Sequence, residues 1–421
     1  MASLLQTLVR PLAMGALQLQ EWSQSRVTYN PLAPRVYLNP YPKYAELRAK
    51  DPVHWSPLMD AWVLSRFVDA DAVLRDHKRF SSDQRLRRTT RTPRNAGIEN
   101  PGGLSMLFLD PPDHTRLRAL VSKAFLPVAI AALIPRIQTI VEELLEQIPH
   151  LTDFDLMETI AYPLPVIVMA ELLGIPAADR AQFKLWSDLR ARVLEPTIRP
   201  DEIQKANRAT HELSDYFRGV IQQRRADPRD DLISTLIMAE EAGDMLTADE
   251  LLVMLRLLLI AGNETTTNLI GNGMLALLRH PEQLQRLREQ PELMDGAVDE
   301  LLRFDTPVQV DFRTARVDLE LGGRRIRAGQ GVIVLLGAAN HDPAVFPEPE
   351  RLDISRRSAT HLAFGRGLHY CLGAPLARVE ARVAFTALLQ RLPNMQLMTA
   401  KPVFKDNVVL RGLRELRIGS A

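Results

Sequence analysis

Cysteine is almost absent from this chain, which has one in 421 residues, at position 371. A single cysteine excludes an internal disulfide, and it excludes zinc or iron–sulfur sites built from several thiolates. A chain without disulfides suits a reducing compartment, so we expect a cytoplasmic protein. On composition alone, a lone cysteine is most often a small buried hydrophobe. The alternatives are a nucleophile and a single metal ligand.

The chain also lacks charge of one sign and a long apolar run. Its 52 Lys and Arg residues nearly cancel its 51 Asp and Glu residues. A nucleic-acid binder, which usually carries a basic excess, is therefore disfavoured. The Leu-rich stretch at residues 1–20 is interrupted by Gln6, Arg10 and Pro11, so it falls short of the roughly 20 apolar residues of a membrane span. We expect it to pack on the body as an amphipathic helix rather than rest on a membrane surface.

What the chain does have is helical periodicity followed by strand alternation. From Asp113 to about Arg303 apolar residues recur at helical spacing, and after Thr306 the pattern changes to strands broken by glycine turns. A hairpin is predicted between residues 52–57 and 61–66. The pattern predicts a mainly α (α+β) chain with a minor sheet. We expect one domain over residues 41–421 and an N-terminal extension over residues 1–40.

The longest predicted helix carries polar residues where a core helix should have none. Thr247 and Glu250 form a capping box that starts this helix, which can run to Arg279. Its first half is apolar nearly all round, so it should cross the core. The segment Ala261-Gly-Asn-Glu-Thr-Thr266 lies at its middle. Back-bonded hydroxyls and a paired glutamate are one explanation, but exceptions to sequence rules in a core are more often functional.

The residues around Cys371 favour a metal ligand over a core cysteine. Glycines at 365, 367 and 373 allow tight turns around the sulfur. A helix is predicted from Leu372 onward, so its N–H groups and dipole should stabilise a thiolate and lower the pKa of Cys371. N–H groups aimed at sulfur also tune the potential of a haem-thiolate iron.

The segment from Phe364 to Gly373 resembles the cysteine-ligand loop of the cytochrome P-450 family. It matches every fixed position of F-G-x-G-x-H-x-C-x-G, the pattern of soluble bacterial members. Glu300-Leu-Leu-Arg303 resembles the family's E-x-x-R pair, and Arg351 would complete that network. The resemblance extends from about Tyr41 to Arg417. It implies the triangular, helix-rich cytochrome P-450 fold with a small β region, a monomer, and one haem b between the central helix and the cysteine loop.

The resemblance also implies roles for residues at the matching motif positions. Cys371 would be the axial iron ligand, and Glu264 and Thr265 resemble the acid–alcohol pair that relays protons to the distal oxygen. The residues that resemble haem-propionate partners are His114, Arg118, Arg313 and His369. The other implied haem contacts are Ala261, Gly262, Phe364 and Gly373, of which the first two would leave room for O2. The residues expected to line an apolar substrate pocket are Leu257, Ile260, Ala261, Val308, Val310, Val408 and Val409.

The implied activity is a monooxygenase that inserts one oxygen atom from O2 into a hydrophobic substrate, by hydroxylation or epoxidation. Electrons would come from NAD(P)H through a ferredoxin or flavodoxin and its reductase, with Arg116, Arg366 and Arg378 as candidate contacts. The alternatives are a haem-thiolate peroxygenase and a non-catalytic haem-binding protein. Peroxygenases of the family lack the acid–Thr pair, so the intact pair favours the monooxygenase. The basic run at residues 85–94 is interpreted as a solvated loop or as a site that attracts a carboxylate.

Overall fold

The protein's structure is a computed structural model that describes residues 15–89, 97–241, 246–357, 360–398 and 401–420. Residues 1–14 of the Leu-rich stretch and residues 90–94 of the basic run lie outside these ranges. The helices are α1 (residues 15–25), α2 (Pro34–Tyr37), α3 (Tyr41–Lys50), α4 (Phe67–Arg75), α5 (Asp113–Ser122), α6 (Pro127–Glu146), α7 (Pro163–Leu172), α8 (Arg180–Ala191), α9 (Pro200–Ala226), α10 (Leu232–Glu241), α11 (Ala248–Arg279), α12 (Pro281–Glu289), α13 (Met294–Phe304), α14 (Leu336–Ala339) and α15 (Ala374–Arg391).

Shorter elements connect these helices. A π-helical turn covers Met157–Ala161, and 3-10 turns cover Gln84–Leu86, Met106–Phe108, Lys123–Phe125, Ala177–Asp179, Arg192–Leu194, Pro291–Leu293 and Gly367–His369. The strands are β1 (Val53–Ser56), β2 (Ala61–Leu64), β3 (Phe80–Ser81), β4 (Phe154–Asp155), β5 (Val310–Ala315), β6 (Leu319–Leu321), β7 (Arg324–Ile326), β8 (Gly331–Leu335), β9 (Met395–Leu397), β10 (Val403–Phe404), β11 (Leu413–Glu415) and β12 (Arg417–Ser420).

The long helix α11 begins where the sequence predicts. The Thr247 hydroxyl accepts from the Glu250 N–H at 3.2 Å, and the Glu250 carboxylate accepts from the Thr247 N–H at 2.8 Å. These two bonds satisfy N–H groups that a helix start leaves without partners. The helix spans 32 residues, and most of its side chains are buried. It packs against α7, α8 and α15, so it forms the axis of the core.

The main sheet has five strands in the order β1-β2-β8-β5-β3. The predicted hairpin is confirmed, because β1 and β2 pair antiparallel with Val53 opposite Leu64. Strand β8 is buried at all five positions, since it lies inside the sheet between β2 and β5. Smaller sheets join β4, β12 and β9, join β10 and β11, and join β6 and β7. A helix-dominated chain with minor sheets is therefore confirmed.

The described part of the N-terminal extension contacts the body through buried charges. Glu21 on α1 binds His54 Nε2 at 2.7 Å, and Asp51 binds His54 Nδ1 at 2.9 Å. All three side chains are almost fully buried. Two carboxylates around one imidazole stabilise its protonated form, and they raise the pKa of His54 despite its burial. This ion-pair triad links α1 to β1.

Candidate active site

The loop that carries Cys371 is shaped by glycines in the left-handed region. Gly365 and Gly367 both have φ +67°, and a Cβ on Gly367 would lie 2.5 Å from the Leu74 carbonyl oxygen. Glycine is required there because a side chain would need a rare backbone conformation and space that α4 occupies. The Cys371 N–H donates to the Phe364 carbonyl oxygen at 2.9 Å. The loop thus holds the cysteine just before α15, as predicted.

The chemistry of the Cys371 thiol differs from the prediction. Burial, the largest effect, raises the pKa of Cys371 above its ordinary value. The N–H groups of Gly373 and Ala374 and the charges of Arg118 and Arg378 act in the opposite direction. The N–H groups thus act in the predicted direction on this half-buried thiol, but in the polypeptide alone the cost of desolvating the thiolate outweighs them and the net shift is upward. A metal cation at the sulfur would reverse this balance.

The four predicted propionate partners meet beside the cysteine loop. The His114 and His369 rings lie 4.2 Å apart between centroids. Among the described residues, His114 Nδ1, His369 Nε2 and Arg313 Nη2 are buried without a hydrogen-bond partner. Arg118 acts electrostatically on His114 and donates to the Tyr370 carbonyl oxygen at 2.7 Å. Buried donors without partners require an explanation, and the two carboxylates of a haem fit them.

Both histidines of this cluster are disfavoured as cations in the polypeptide alone. Burial, and then the charge of Arg118, lowers the pKa of His114. Burial, and then the charge of Arg313, lowers the pKa of His369 to about 3. Converging positive charge and desolvation cause both shifts, and a bound dianion would oppose the electrostatic part of each. The cluster is therefore suited to an anionic group.

One face of α11 is accessible, although the helix is otherwise mostly buried. Leu257, Ile260 and Thr265 are half-buried and Ala261 is exposed. Their positions, at 257, 260, 261 and 265, place these side chains on one side of the helix. This accessible face, which we call the distal face, borders the space predicted for haem and substrate.

The two polar groups of the predicted relay both have partners. Thr265 Oγ1 donates to the Ala261 carbonyl oxygen at 2.9 Å. The Glu264 carboxylate accepts from Lys405 Nζ at 2.6 Å, and the two side chains are 10% and 15% exposed. Lys405 Nζ also lies 5.0 Å from the centroid of the Tyr162 ring. Sequence reasoning missed Lys405, because it lies 141 positions from Glu264 and no local pattern marks it.

Gly262 has a packing explanation that the sequence did not reveal. A Cβ on Gly262 would lie 2.6 Å from Met169 Cε on α7. The glycine therefore allows α7 and α11 to approach closely. The predicted space for O2 beside the backbone depends on Ala261, which is exposed, and it stays a prediction.

The four valines predicted for the substrate pocket lie on other elements. Val308 is half-buried, whereas Val310 and Val409 are 4% and 5% exposed and belong to an apolar cluster around the N-terminal segment. Val408 lines a small cavity beside the tyrosines of that segment. These contacts are explained by packing, so the role of the valines in substrate binding stays a prediction.

The predicted E-x-x-R pair is buried and has a different third member. Arg303 donates through Nε and Nη2 to the Glu300 carboxylate at 2.7 and 2.8 Å, and to three backbone carbonyl oxygens. The Arg351 side chain pairs with Glu348 on the surface instead. The prediction for Arg351 is therefore wrong, because only its carbonyl oxygen reaches Arg303. Arg356 Nε completes the network by donating to Glu300 at 3.2 Å.

Glu195 is a second buried residue that sequence reasoning missed. It lies in the connection between α8 and α9, and its side chain is almost fully buried. Its carboxylate accepts from the N–H groups of Val408, Val409 and Leu410 at 2.6, 3.0 and 2.8 Å. Burial raises the pKa of Glu195, although the three N–H groups oppose the shift. This contact fastens the α8–α9 connection to the C-terminal segment.

The arginines predicted to contact a redox partner are all in ion pairs within the chain. Arg366 and Arg378 bind Asp71 and Asp299 at 3.1 and 2.7 Å, and Arg116 binds a carboxylate at the start of α11.

In the described ranges no single helix is long and apolar enough to span a membrane. The segments Asp113–Phe125 and Pro127–Glu146, which are bent by 47° relative to each other, meet that length and composition criterion only as a pair.

Three features together define a haem-thiolate protein. They are a cysteine just before a helix, a cluster of donors suited to two carboxylates, and an accessible face on a central helix. A family model for cytochrome P450 matches residues 59–410. The chain belongs to the cytochrome P450 family.

Bacterial members of the family are similar to this chain over most of its length. The monooxygenase PikC of Streptomyces venezuelae is 44% identical over 389 residues, 90% of this chain and 91% of PikC. The vitamin D(3) 25-hydroxylase of Pseudonocardia autotrophica is 41% identical over 386 residues, 90% of this chain and 93% of the hydroxylase. The solved structure of PksS from the bacillaene polyketide synthase of Bacillus subtilis has a TM-score of 0.85 at 39% identity, covering 94% of this chain and 100% of PksS.

These likenesses confirm the predicted fold and reaction class. The chain is a haem-thiolate monooxygenase, an oxidoreductase that uses haem and O2. Members of the family receive electrons from redox partners and act on small molecules. The roles of individual residues are a separate question.

Proposed function

We propose that this monooxygenase oxidises a hydrophobic organic substrate held against the distal face of α11. The observation that carries the proposal is the row of accessible residues at 257, 260, 261 and 265 on a helix that is otherwise mostly buried. Three of these four side chains are apolar, and a pocket with few polar groups favours an apolar ligand. When bound, the haem supplies the activation of O2 through its thiolate-ligated iron.

The haem would be held from two sides by this chain's own residues. Cys371 would bind the iron, with the backbone of Phe364 and Gly373 shaping its loop. The unpartnered donors on His114, His369 and Arg313, together with Arg118, would bind the propionates. Ala261 and Gly262 would form the opposite wall. This assignment is supported by the burial of those donors, which no described residue satisfies.

Glu264 and Thr265 would carry protons to the distal face. Their positions as consecutive residues of α11 support this role, because Glu264 connects to Lys405 in the interior while Thr265 borders the accessible face. Lys405 would act as a positioning residue by holding the carboxylate near the helix. Lys184 and Asp188, whose side chains are 39% and 44% exposed, lie near the same group through Tyr162. They supply a polar connection to solvent.

Electrons would come from NAD(P)H through a ferredoxin or flavodoxin with its reductase, in the cytoplasm. Arg366 and Arg378 flank the cysteine loop, which supports docking on that side, and each would exchange its internal carboxylate for one on the partner. Residues 41–421 would form the single P450 domain, with residues 1–40 as an extension packed on it. The contact of Glu21 with His54 supports packing of the described part of this extension on the body.

The relay is tested by replacing Thr265 with alanine. We expect the Thr265→Ala variant to keep its haem but to divert electrons to peroxide, so that less product forms per NAD(P)H consumed. Thr267→Ala is the matched control, because Thr267 on the same helix donates to the Ala161 carbonyl oxygen at 2.9 Å and is buried. An unchanged product yield in Thr265→Ala would show that the relay assignment is wrong.

A further inference from the structure

Two arginines converge where α8, α9 and α11 meet the loop at residues 97–103. Arg256 on α11 is 7% exposed and donates through Nη1 to Ser214 Oγ at 2.8 Å and through Nη2 to the Pro101 carbonyl oxygen at 2.5 Å. Arg190 on α8 donates through Nη2 to Asn100 Oδ1 at 3.2 Å. The two guanidinium groups therefore bind neighbouring residues of the same loop, and this brings them close together.

No carboxylate in the described part of the chain lies close enough to these two cations to form an ion pair. Among the described residues, neither guanidinium forms an ion pair with a carboxylate within 4.0 Å. Arg190 Nη1 is buried and has no hydrogen-bond partner. Asp249 is the carboxylate that acts on Arg256 from a distance, while Arg218 opposes it. Buried guanidinium groups are normally paired, because an unpaired buried charge is costly.

The lack of a paired carboxylate is reflected in the pKa of Arg190. Burial, with a smaller effect from the charge of Arg256, lowers the pKa of Arg190 to about 10. Burial and the charge of Arg256 both disfavour the charged form of Arg190. An anion bound beside Arg190 would favour the charged form and so offset both effects. The arrangement is thus more favourable with a negatively charged group bound than without one.

The pair lies at one end of the distal face. Arg256 precedes Thr265 by nine residues on the same helix, which corresponds to roughly 13 Å of helix. Leu257 and Ile260, which are accessible and apolar, lie between them. Helix α8, which carries Arg190, packs along α11. A ligand with an anionic head and an apolar chain would match this order of residues.

We infer that Arg190 and Arg256 bind the carboxylate of an amphipathic carboxylic-acid substrate, whose apolar chain lies along the distal face toward Thr265. The inference rests on the proposed function, because it assigns a substrate class to that face. Arg190 Nη1 is the donor left for a carboxylate oxygen. Arg256, whose two Nη atoms donate to Ser214 and Pro101, would add its positive charge. Oxidation would then occur far from the carboxylate, at a carbon on the order of 10 Å away.

A purely structural role for the arginines makes a different prediction. If they served only to fasten the loop at residues 97–103, their removal would weaken the binding of acids and of neutral ligands equally. Arg85, whose side chain is 69% exposed and paired with Asp83, belongs to the basic run that the sequence offers as another site for a carboxylate. Arg85→Gln is therefore the matched control.

The test compares dodecanoic acid with its methyl ester in the haem-loaded protein, by titrating the spin-state shift of the Soret band. We expect the wild type to bind the acid about ten-fold more tightly than the ester. Arg190→Gln and Arg256→Gln should lose this preference while still binding the ester. Arg190→Lys should keep part of it, and Arg85→Gln should keep all of it. The reduced-CO spectrum of each variant checks that the haem site is intact.

Three results would overturn the inference. One is equal binding of acid and ester by the wild type, and another is loss of affinity for both ligands in equal measure in the arginine variants. The third is loss of the preference in Arg85→Gln. If neither ligand shifts the spin state while Thr265→Ala still lowers product yield on another substrate, the substrate class is wrong and the proposed oxygen chemistry stands.

Discussion

The cysteine side and the distal side of the haem site are built in different ways. On the cysteine side the decisive contacts are local, such as the bond from the Cys371 N–H to the Phe364 carbonyl oxygen and the pairing of Arg303 with Glu300. On the distal side Glu264 binds Lys405 across 141 positions, and Glu195 binds a segment more than 200 positions away. The cysteine loop and its anchor thus depend on short segments, while the cluster suited to the propionates and the substrate side are assembled from distant ones.

The largest expected effect concerns the anchor of the cysteine side. Arg303→Met should lower the free energy of unfolding by about 3–5 kcal/mol, because it removes the main partner of the buried Glu300 carboxylate and leaves only Arg356 among its arginine partners. Urea denaturation of the haem-loaded protein measures this loss. Arg351→Ala is the control and should change stability by less than about 0.5 kcal/mol, since its side chain is on the surface. A large loss in Arg351→Ala would restore the sequence-based assignment.

Glu380 on α15 makes the cysteine side sensitive to pH. Burial raises its pKa from 4.5 to about 8, and among the described residues its Oε2 atom has no partner. Because the pKa of Glu380 is raised in the folded state, its contribution to the free energy of unfolding is fully present below about pH 4.5. That contribution is lost as pH rises through about 8. The loss should be on the order of 4 kcal/mol. Glu380→Gln should flatten the dependence of unfolding free energy on pH, and an unchanged slope would exclude Glu380 as its source.

Substitutions at two glycines, Gly367 on the cysteine side and Gly262 on the distal side, allow a direct comparison of the two sides. Gly367→Ala should cost about 2–4 kcal/mol, because a Cβ there needs a positive φ and meets backbone 2.5 Å away. Gly262→Ala should cost about 1–2 kcal/mol, because it meets the flexible end of Met169. Gly219→Ala, on an open surface of α9, should stabilise by about 0.5–1 kcal/mol. Thermal unfolding of the three variants gives the order, and equal costs at 262 and 367 would contradict the comparison.

The smallest expected effect concerns Lys405 on the distal side. Lys405→Met should lower product yield per NAD(P)H about two- to five-fold, because Glu264 loses the group that positions it. Lys405→Arg should recover most of the yield. Lys205→Met removes an exposed lysine of α9 that is paired with Asp201, and it serves as the control. If Lys405→Met matches the wild type in yield, the positioning role is refuted.

The same comparison explains what could be predicted from the sequence. The start of α11 at Thr247, the β1–β2 hairpin and the cysteine loop were predictable, because each is encoded by residues within a few positions of one another. Lys405 and Glu195 were not, since long-range pairs leave no local pattern. Arg351 was misassigned because Arg356, five positions on, reaches Glu300 instead.

The thiol pKa was misjudged for a different physical reason. The N–H groups of Gly373 and Ala374 act on Cys371 as the sequence predicts. Burial was not visible in the local pattern, and its cost for a thiolate is larger than the benefit of those groups. The direction in which each group shifts the pKa of Cys371 was therefore predictable, whereas the net shift could only be found from the structure.

The central claim is that Cys371 is the axial ligand of a haem. The most direct measurement is the absorption spectrum of the reduced CO complex of the wild type and of Cys371→His. The wild type should show the red-shifted Soret band of thiolate ligation, and Cys371→His should show the band of an imidazole-ligated haem. A wild-type spectrum typical of histidine ligation, or a thiolate band that persists in Cys371→His, would contradict the claim.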